Sequence, residues 1–562
     1  MRREVSVVNK KVCSFPILFA LLALLIGACA VVFPASAQAA PTSTGSITVS
    51  GTVASSYDAY QIFSANVVDG DSDAKIATDL AWASDAVRDA ALPVLHSAGM
   101  PNSQATAQEA AEWLNTDSHL TSALSAQLAR SLQSSGAEPV ALNAGTTAEL
   151  PCGYWLIVAK DDAIAQGEAG TAPIIALVGG NAVTVKPKAA TPKVQKHVLE
   201  DSTAAWRKAA DATVADDLYW RLSATVPAGL TAYDTYTVQF VDTMSAGLDP
   251  SKVAASMRVY VAAGTDGGFD AVSADKDGRA GTEPAKDWTD ITAQCATKVA
   301  ADGTFTVRTG DLIATLGGAD AFTAGARVVA VYNAPLNSAC NHGIAKGNPN
   351  EVYLRYPRSP FADQSGDAGF TRTPSDDACA YTWDLALTKR GSDGDKPLSG
   401  AVLSIADDRG RTLAADGTWD AQGKATVTTG EDGRVTVSGV DSGKLEVREL
   451  KAPKGYTAFE GTRSVTVKAE GLDVDQVAAA KPKLTITAES PLRADSADGS
   501  TGSLEASLIN APTGTPPSIT TGGFMPSTGD MAMYAAAAAA VAGAALIVVA
   551  LLVKRGGGSH KE

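Results

Sequence analysis

The sequence has few aromatic residues, histidines and cysteines, and these shortages exclude several classes of protein. Phe, Trp and Tyr make up 6% of the 562 residues, and the chain has five histidines and six cysteines. The histidines, at positions 96, 119, 197, 342 and 560, lack the spacing of metal ligands. The chain also has neither a Gly-rich phosphate loop nor a nucleophile elbow. We therefore expect no conventional enzyme, no metal site and no cofactor.

One acidic segment begins like a calcium-binding loop but departs from that pattern. The run DGDSD at residues 69–73 is followed by Ala74 where such a loop needs glycine, and by Leu80 where the bidentate glutamate belongs. The segment is interpreted as a solvated turn.

Positive charge is also scarce, and no basic block appears anywhere in the chain. The sequence has 46 Lys and Arg against 61 Asp and Glu, which gives a net charge of −15. Binding to phosphates needs a concentrated cationic face, so a nucleic-acid partner is excluded. With 45% hydrophobic and 19% charged residues, the chain is expected to fold, and it is too long for one ordinary domain.

The N-terminal 39 residues are predicted to be a secretory signal peptide. Basic residues precede an apolar run at 13–32, and the small residues at 35–39 offer cleavage after Ala37 or Ala39. A lipoprotein cleavage box at residues 26–29 is the alternative, but the other end of the chain supplies an anchor. There, the 23 apolar residues 531–553 are long enough for a transmembrane helix, and Lys554 and Arg555 keep the tail in the cytoplasm.

A pentapeptide precedes this apolar span. Met525, Pro526, Ser527, Thr528 and Gly529, followed by the span and the basic tail, resemble the cell-wall sorting signal of Gram-positive surface proteins, Leu-Pro-x-Thr-Gly. Methionine replaces leucine and has similar bulk. The resemblance implies that a sortase cleaves after the threonine and passes its carbonyl to an amine. A plain stop-transfer anchor is the alternative.

Four cysteines remain in the exported part of the chain, which is an oxidising setting. Cys152, Cys295, Cys340 and Cys379 allow three pairings, which the sequence cannot decide. A disulfide between Cys295 and Cys340 is favoured because both fall in one predicted domain, and free thiols are the alternative.

Breaks in the strand and helix patterns divide the exported chain into three domains. Strand patterns at 46–50, 57–64, 153–158 and 174–178 flank a helix-rich region at about 73–135, and Pro187 begins the first break. A Pro-, Gly- and Thr-rich stalk follows the last domain. The predicted organisation is signal peptide 1–39, N-terminal domain 40–188, middle domain 189–375, C-terminal domain 376–513, stalk 514–524 and sorting signal 525–562.

Three strand patterns in the C-terminal domain end in reactive side chains on the face that should be buried. The alternating sets are Trp383, Leu385, Leu387 and Lys389; Leu445, Val447 and Glu449; and Leu504, Ala506, Leu508 and Asn510. A buried lysine is costly unless it loses its proton, and a neutral lysine is a nucleophile.

These residues resemble a known family. The run ELKAPKGY from Glu449 is similar to the E-T-x-A-P-x-G-Y box of collagen-adhesin B-type immunoglobulin-like domains in Gram-positive pilins, and PLSGA at 397–401 after Lys389 resembles their first strand. The resemblance implies an autocatalytic isopeptide bond between Lys389 and Asn510 with Glu449 as the acid; Leu450 departs mildly from the box. A buried Lys–Glu salt bridge with Asn510 as a hydrogen-bonding neighbour is the alternative. The implied fold is mostly β, with tandem immunoglobulin-like β-sandwich domains after an α+β N-terminal domain.

The middle domain has part of the same pattern. Lys196 and Asp242 each end an apolar face, and residues 233–248 resemble the middle domain of the same pilins. Family members usually supply an asparagine just after a terminal strand, where this chain has Arg358. Asp242, the candidate acid, is therefore expected to pair with Arg358 or with Lys196, and a second isopeptide bond would need another amide such as Asn350.

The run VTVKPK at 183–188 resembles the pilin motif whose lysine is joined to the next subunit. Lys186 replaces the usual tyrosine, and Lys188 is the candidate acceptor. The alternative is a solvated lysine at a domain junction.

Together these resemblances imply the structural shaft subunit of a sortase-assembled fimbria, secreted and anchored to the cell wall through a transient membrane intermediate. Its implied partners are sortase, further copies of itself, tip or base pilins and peptidoglycan. Beyond a single-turnover crosslink, no enzymatic activity is implied. The alternative is a wall-anchored or pilus-tip adhesin that binds a host ligand.

Overall fold

The computed structural model describes residues 43–71, 74–116, 118–170, 172–187, 191–275 and 278–514. The predicted signal peptide, Lys188, the sorting motif and the apolar span 531–553 lie outside these residues. Among the described helices, none has the length and apolar character needed to span a membrane.

The N-terminal unit combines two sheets with three helices. Sheet order is β5-β1-β8 in one and β3-β2-β6-β7 in the other, where β4 also pairs with β2. The elements are β1 (Thr44–Val49), β2 (Ser56–Asp69), β3 (Lys75–Trp82), α1 (Asp85–Ser97), α2 (Ala107–Asn115), α3 (Ser122–Ser134), β4 (Val140–Asn143), β5 (Thr147–Pro151), β6 (Gly153–Ala159), β7 (Ile174–Val178) and β8 (Val183–Val185).

The helix-rich region predicted at about 73–135 contains strand β3 as well as the three helices. Each helix begins where a hydroxyl side chain caps it: Ser84 accepts from the Val87 N–H, Thr106 forms a capping box with Glu109, and Thr121 caps α3. Buried alanines and leucines on these helices form one apolar cluster with β2 and β6.

The middle unit is a sandwich of two large sheets. Their orders are β10-β9-β12-β18-β14-β15 and β11-β21-β19-β13-β17-β16, and β20 pairs with β19. The elements are β9 (Lys193–Glu200), β10 (Ala205–Arg207), β11 (Ala209–Asp211), β12 (Tyr219–Val226), β13 (Gln239–Met244), α4 (Val253–Ser256), β14 (Arg258–Ala263), β15 (Thr289–Asp290), β16 (Ala296–Val299), β17 (Thr304–Arg308), α5 (Leu312–Thr315), α6 (Ala319–Phe322), β18 (Ala326–Asn333), β19 (Asn348–Pro357), β20 (Phe370–Arg372) and β21 (Asp376–Tyr381).

The C-terminal unit is a second sandwich, with sheet orders β27-β22-β32-β31 and β25-β24-β23-β28-β29-β30, and with β26 on β23. Its first and last strands, β22 and β32, pair in parallel with Lys389 opposite Leu508. The elements are β22 (Trp383–Gly391), β23 (Val402–Ala406), β24 (Thr412–Leu413), β25 (Trp419–Asp420), β26 (Val427–Thr428), β27 (Arg434–Val440), β28 (Gly443–Lys451), β29 (Thr462–Glu470), β30 (Lys483–Ala488), β31 (Leu492–Asp498) and β32 (Ser503–Asn510).

The fold is thus mostly β, with an α+β unit followed by two tandem sandwiches, which confirms the predicted fold class. One boundary differs from the sequence prediction, which began the C-terminal domain at residue 376. Strand β21 pairs with β19 inside the middle sandwich, so the sheets divide the chain after Tyr381.

The predicted disulfide between Cys295 and Cys340 is not present. All four cysteines of the described residues are free thiols. The Cys295 thiol donates to the Ile291 carbonyl at 3.3 Å, whereas the Cys340 sulfur lies 3.6 Å from His342 Nε2. The two thiols have different partners because they belong to different loops, and the free-thiol alternative is the one observed.

Candidate functional site

The C-terminal sandwich brings together the three reactive side chains that the sequence singled out. Lys389 lies on β22, Glu449 on β28 and Asn510 at the end of β32. Each follows apolar residues that alternate into the core, so the strand period carries all three side chains inward. Lys389 is fully buried and Asn510 is 2% exposed.

The geometry places amine, acid and amide in contact. Asn510 Nδ2 donates to both carboxylate oxygens of Glu449 at 2.9 Å, and Lys389 Nζ lies 3.7 Å from Glu449 Oε1. Two further hydrogen bonds hold the site: Lys389 Nζ donates to the Leu508 carbonyl at 3.2 Å, and the Phe459 N–H donates to Glu449 at 3.1 Å. One carboxyl group therefore contacts both the amine and the amide.

Burial prepares the amine for reaction. It lowers the pKa of Lys389 to about 8, although the nearby Glu449 carboxylate opposes this shift. A neutral amine is therefore populated near neutral pH, and a neutral amine can attack a carboxamide carbon.

The middle sandwich contains a second buried cluster. Lys196 on β9, Asp242 on β13, Tyr332 on β18 and Asn350 on β19 all have no exposed surface. Lys196 Nζ contacts Asp242 Oδ2 and donates to the Tyr332 hydroxyl at 2.9 Å. Tyr332 donates to Asp242 Oδ2 at 3.0 Å and accepts from Asn350 Nδ2 at 2.8 Å.

Of the two partners expected for Asp242, the structure shows Lys196. Arg358 instead donates to the backbone carbonyls of Asp161 and Phe370, at 3.4 and 3.5 Å. Asn350, the substitute amide named from the sequence, lies near the beginning of β19 and contacts this cluster through the Tyr332 hydroxyl. The alternation that includes Val352, Leu354 and Tyr356 extends back to Asn350, which places all four side chains on the same buried face.

Burial also shifts pKa values in this cluster, as it does for Lys389 in the C-terminal site. It lowers the pKa of Lys196 to about 8 against the opposing pull of Asp242, and it raises the pKa of the Asp242 carboxyl. Both shifts favour the neutral forms, an amine and a carboxylic acid, in contact with each other.

Several sequence-predicted residues lie outside the described part of the chain. These are Lys188 and the sorting motif from Met525 to Gly529. The strand just before Lys188, β8, pairs in parallel with β1.

Comparisons with known proteins match parts of the chain. Residues 384–481 match the family model of the SpaA prealbumin-like fold domain. A stretch of 143 residues is 30% identical to the trypsin-resistant surface T6 protein of Streptococcus pyogenes serotype M6. This match spans about a quarter of the chain and of that relative, 24% of each.

The fold is also similar to solved pilin structures at low sequence identity. The T6 backbone pilin of serotype M6 Streptococcus pyogenes is 17% identical, with a TM-score of 0.46 over 84% of this chain and 98% of that one. The major pilin SpaD from Corynebacterium diphtheriae is 15% identical, with a TM-score of 0.41 over 84% and 98%. The segment that matches the SpaA prealbumin-like family model, residues 384–481, includes Lys389 and Glu449.

Proposed function

We propose that this chain is the structural shaft subunit of a covalently polymerised cell-surface fimbria. The observation that carries the proposal is the fully buried contact of Lys389, Glu449 and Asn510. A structural salt bridge needs only the amine and the carboxylate, and no carboxamide hydrogen-bonded to both carboxylate oxygens. A crosslinking reaction needs an amine, an acid and an amide in contact. The sequence relationship to a surface T6 protein is consistent with an exposed location.

The chemistry proposed for the C-terminal domain is a single condensation. Neutral Lys389 Nζ attacks Cγ of Asn510, and the Glu449 carboxyl group, which contacts both nitrogens, carries a proton from Nζ to Nδ2. The Nζ–Cγ bond forms, the Cγ–Nδ2 bond breaks, and Nδ2 leaves as ammonia. Glu449 returns to its starting state, so the reaction happens once per chain.

A second bond is proposed in the middle domain, between Lys196 and Asn350. Asp242 contacts the lysine as Glu449 does in the other domain, and the site is equally buried. The same loss of ammonia would join β9 to β19, in opposite sheets of the sandwich.

The crosslinks would give the subunit mechanical strength. In the C-terminal domain the bond joins the first strand, β22, to the last, β32, and tension along the chain enters and leaves through these strands. A covalent bond between them carries the load directly, and the backbone hydrogen bonds of the sandwich are relieved of it.

Polymerisation is proposed to use Thr528 and Lys188. A sortase would cleave after Thr528, hold the chain as an acyl-enzyme and pass it to Lys188 of the next copy. The final copy would be joined to peptidoglycan, and tip or base pilins would complete the fibre. This proposal rests on the sorting motif and on the lysine motif after β8.

The test is the intact mass of residues 40–523 after reduction. Each bond expels one ammonia, so the wild-type chain should be lighter than its sequence mass by two losses of about 17 Da each. The Glu449→Ala chain should lose one ammonia. The control is Glu446→Ala, at an exposed position on the same strand, and this chain should lose two. A wild-type chain at full sequence mass would overturn both crosslinks and favour the adhesin alternative.

A further inference from the structure

We propose that the Tyr332 hydroxyl is a catalytic proton relay between Asp242 and the leaving nitrogen of Asn350. This inference rests on the proposed Lys196–Asn350 bond. It assigns a role to a side chain that the C-terminal site does not need.

The two sites differ in how far the acid reaches. Glu449 hydrogen-bonds directly to the amide nitrogen of Asn510. Asp242 is one methylene shorter, and its carboxylate contacts Lys196 and Tyr332. The amide nitrogen of Asn350 donates to the Tyr332 hydroxyl instead, so this hydroxyl lies between acid and amide.

The fold fixes the hydroxyl in this position. Tyr332 lies on β18 opposite Trp220 of β12, in the sheet that also carries Lys196 on β9. Asp242 and Asn350 come from the facing sheet. The Tyr332 ring packs against Phe305 at a centroid distance of 4.8 Å and has no exposed surface, and its hydroxyl contacts the other members of the cluster.

The hydroxyl keeps its own proton under all physiological conditions. Burial and the Asp242 carboxylate raise the pKa of Tyr332 well above its usual value of 10.0. A neutral hydroxyl both donates and accepts, which is what a relay requires. The four side chains of the cluster have no exposed surface, so bulk solvent does not reach the hydroxyl.

The proton balance of the relay is complete. As Lys196 Nζ bonds to Cγ of Asn350, the hydroxyl passes its proton to Nδ2 and takes one from the Asp242 carboxylic acid. The resulting Asp242 carboxylate takes a proton from Nζ, which it contacts. The Cγ–Nδ2 bond then breaks and ammonia leaves. Asp242 and Tyr332 end as they began, and the proton has moved from the attacking nitrogen to the leaving nitrogen.

The first test is Tyr332→Phe in the chain of residues 40–523, which removes only the hydroxyl. Freshly purified protein is incubated and its mass is followed over time. General acid catalysis is worth about 10²–10⁴-fold, so the middle-domain ammonia loss should slow by at least about a hundredfold. The C-terminal loss should be complete and reports that the chain has folded. Crosslinking of Tyr332→Phe at the wild-type rate would overturn the relay.

Tyr260→Phe is the matched control. Tyr260 is a fully buried tyrosine in the same sheet, and its hydroxyl donates to the Thr282 carbonyl away from the cluster. This variant should show both ammonia losses at the wild-type rate. Equal slowing in both variants would mean that lost packing, and not a relay, is responsible.

A second variant separates reach from packing. In Tyr332→Phe/Asp242→Glu the longer acid should touch the amide directly, as Glu449 does, and the middle-domain loss should return. If the middle-domain ammonia loss does not return although the C-terminal ammonia loss is complete, the relay is overturned. A wild-type chain with only one ammonia loss, abolished by Glu449→Ala, would instead show that the middle-domain bond itself is absent while the C-terminal bond stands.

Discussion

Two buried lysines dominate the chemistry of this protein at the scale of single residues. Lys196 and Lys389 each contact one carboxyl group, and burial lowers the pKa of both amines to about 8. An unreacted lysine in such a place costs stability, because a buried charge must be compensated or lost. Amide formation removes the charge permanently.

Replacing Glu449 by glutamine separates acid chemistry from packing. Glu449→Gln keeps the size of the side chain, but it has no carboxyl proton to exchange, so the Lys389–Asn510 bond should not form. Relative to its own sequence mass, the variant should show one ammonia loss fewer than wild type, and it should lose about 2–4 kcal/mol in unfolding free energy, as for removal of a covalent crosslink. Mass spectrometry and calorimetry measure both. A crosslinked Glu449→Gln chain would contradict the role of the acid.

The sequence predicted some of these residues and missed others for definable reasons. Strand alternation and the box from Glu449 predicted the C-terminal set, because each polar residue ends a run that the fold buries. Asn350 was predicted only as a substitute, because it lies near the beginning of a strand and the family pattern places the asparagine after one. Tyr332 carried no signal, since a tyrosine in an alternating strand is ordinarily core. Only the packing of the two sheets against each other brings its hydroxyl to Asn350.

At the scale of elements, a turn beside β22 holds Lys389 in place. The Lys389 N–H donates to the Gly433 carbonyl at 2.8 Å, and the Leu398 N–H donates to the Lys389 carbonyl at 2.8 Å. Gly433 has a φ of +72°, and an added Cβ would lie 2.8 Å from Leu398 N and 2.9 Å from the Lys389 carbonyl oxygen. Both atoms are backbone and cannot move aside cheaply.

Gly433→Ala should therefore push β22 away from the turn and disturb the crosslink. We expect a loss of more than about 1 kcal/mol in unfolding free energy and a slower C-terminal ammonia loss. Gly417→Ala is the matched control: its φ is +84°, but nothing lies within 4 Å of the added Cβ. Denaturant titration and time-resolved mass measure the difference. Equal effects of the two variants would show that the close backbone contact is unimportant.

Element boundaries in the N-terminal unit were harder to predict than element types. Strands β6 and β7 match their predicted ranges closely because their apolar runs are short and bounded. Strand β3 fell within the predicted helix-rich region, because the alanines of its sequence, KIATDLAW, are compatible with a helix or a strand. Pairing with β2 decides the outcome, and that pairing is a tertiary effect which local pattern does not contain.

At the scale of the whole molecule, the two sandwiches meet at a junction formed by acidic side chains. Asp211 of the middle sandwich accepts from Trp383 Nε1 at 2.7 Å and from the Ser442 N–H at 3.0 Å, both in the C-terminal sandwich. Burial and the nearby carboxylates of Asp211 and Asp201 raise the pKa of the Asp441 carboxyl group well above its usual value. Loss of its proton would place further negative charge in this buried contact, so the contact depends on pH.

The junction should weaken as pH rises. Burial and the neighbouring carboxylates raise the pKa of Glu200 to about 7 and the pKa values of Asp201 and Asp441 above their usual range; Arg409, 3.5 Å from Asp201, only partly offsets this. The folded junction holds more protons than the unfolded chain, so its stability falls as pH rises through about 7. Calorimetry from pH 5.5 to 8.5 should show a falling Tm.

Asp441→Asn tests the cause of this pH dependence. It keeps a hydrogen-bond donor but cannot release a proton, so the fall in Tm across that pH range should become shallower. A Tm in the wild-type chain that is constant or rises with pH would contradict the account of the junction.

The proposed assembly into a polymer depends on Lys188. Lys188→Ala should abolish high-mass polymers when the chain is expressed with its sortase, whereas Lys186→Ala, two residues away, should leave them intact. Immunoblotting of cell-wall extracts measures both. Polymers that persist in Lys188→Ala would favour a wall-anchored adhesin.

In the sequence, Lys188 comes three residues after the end of β8, and this has a consequence for how a fibre would bear load. If each copy is held at Lys188 and at Thr528, force runs through the middle and C-terminal sandwiches and bypasses residues 40–187. Both sandwiches on that path carry a proposed crosslink. The N-terminal unit would then lie outside the path that carries the load in the fibre. Unfolding, cleavage or exchange of this unit for another domain would leave the breaking strength of the fibre unchanged.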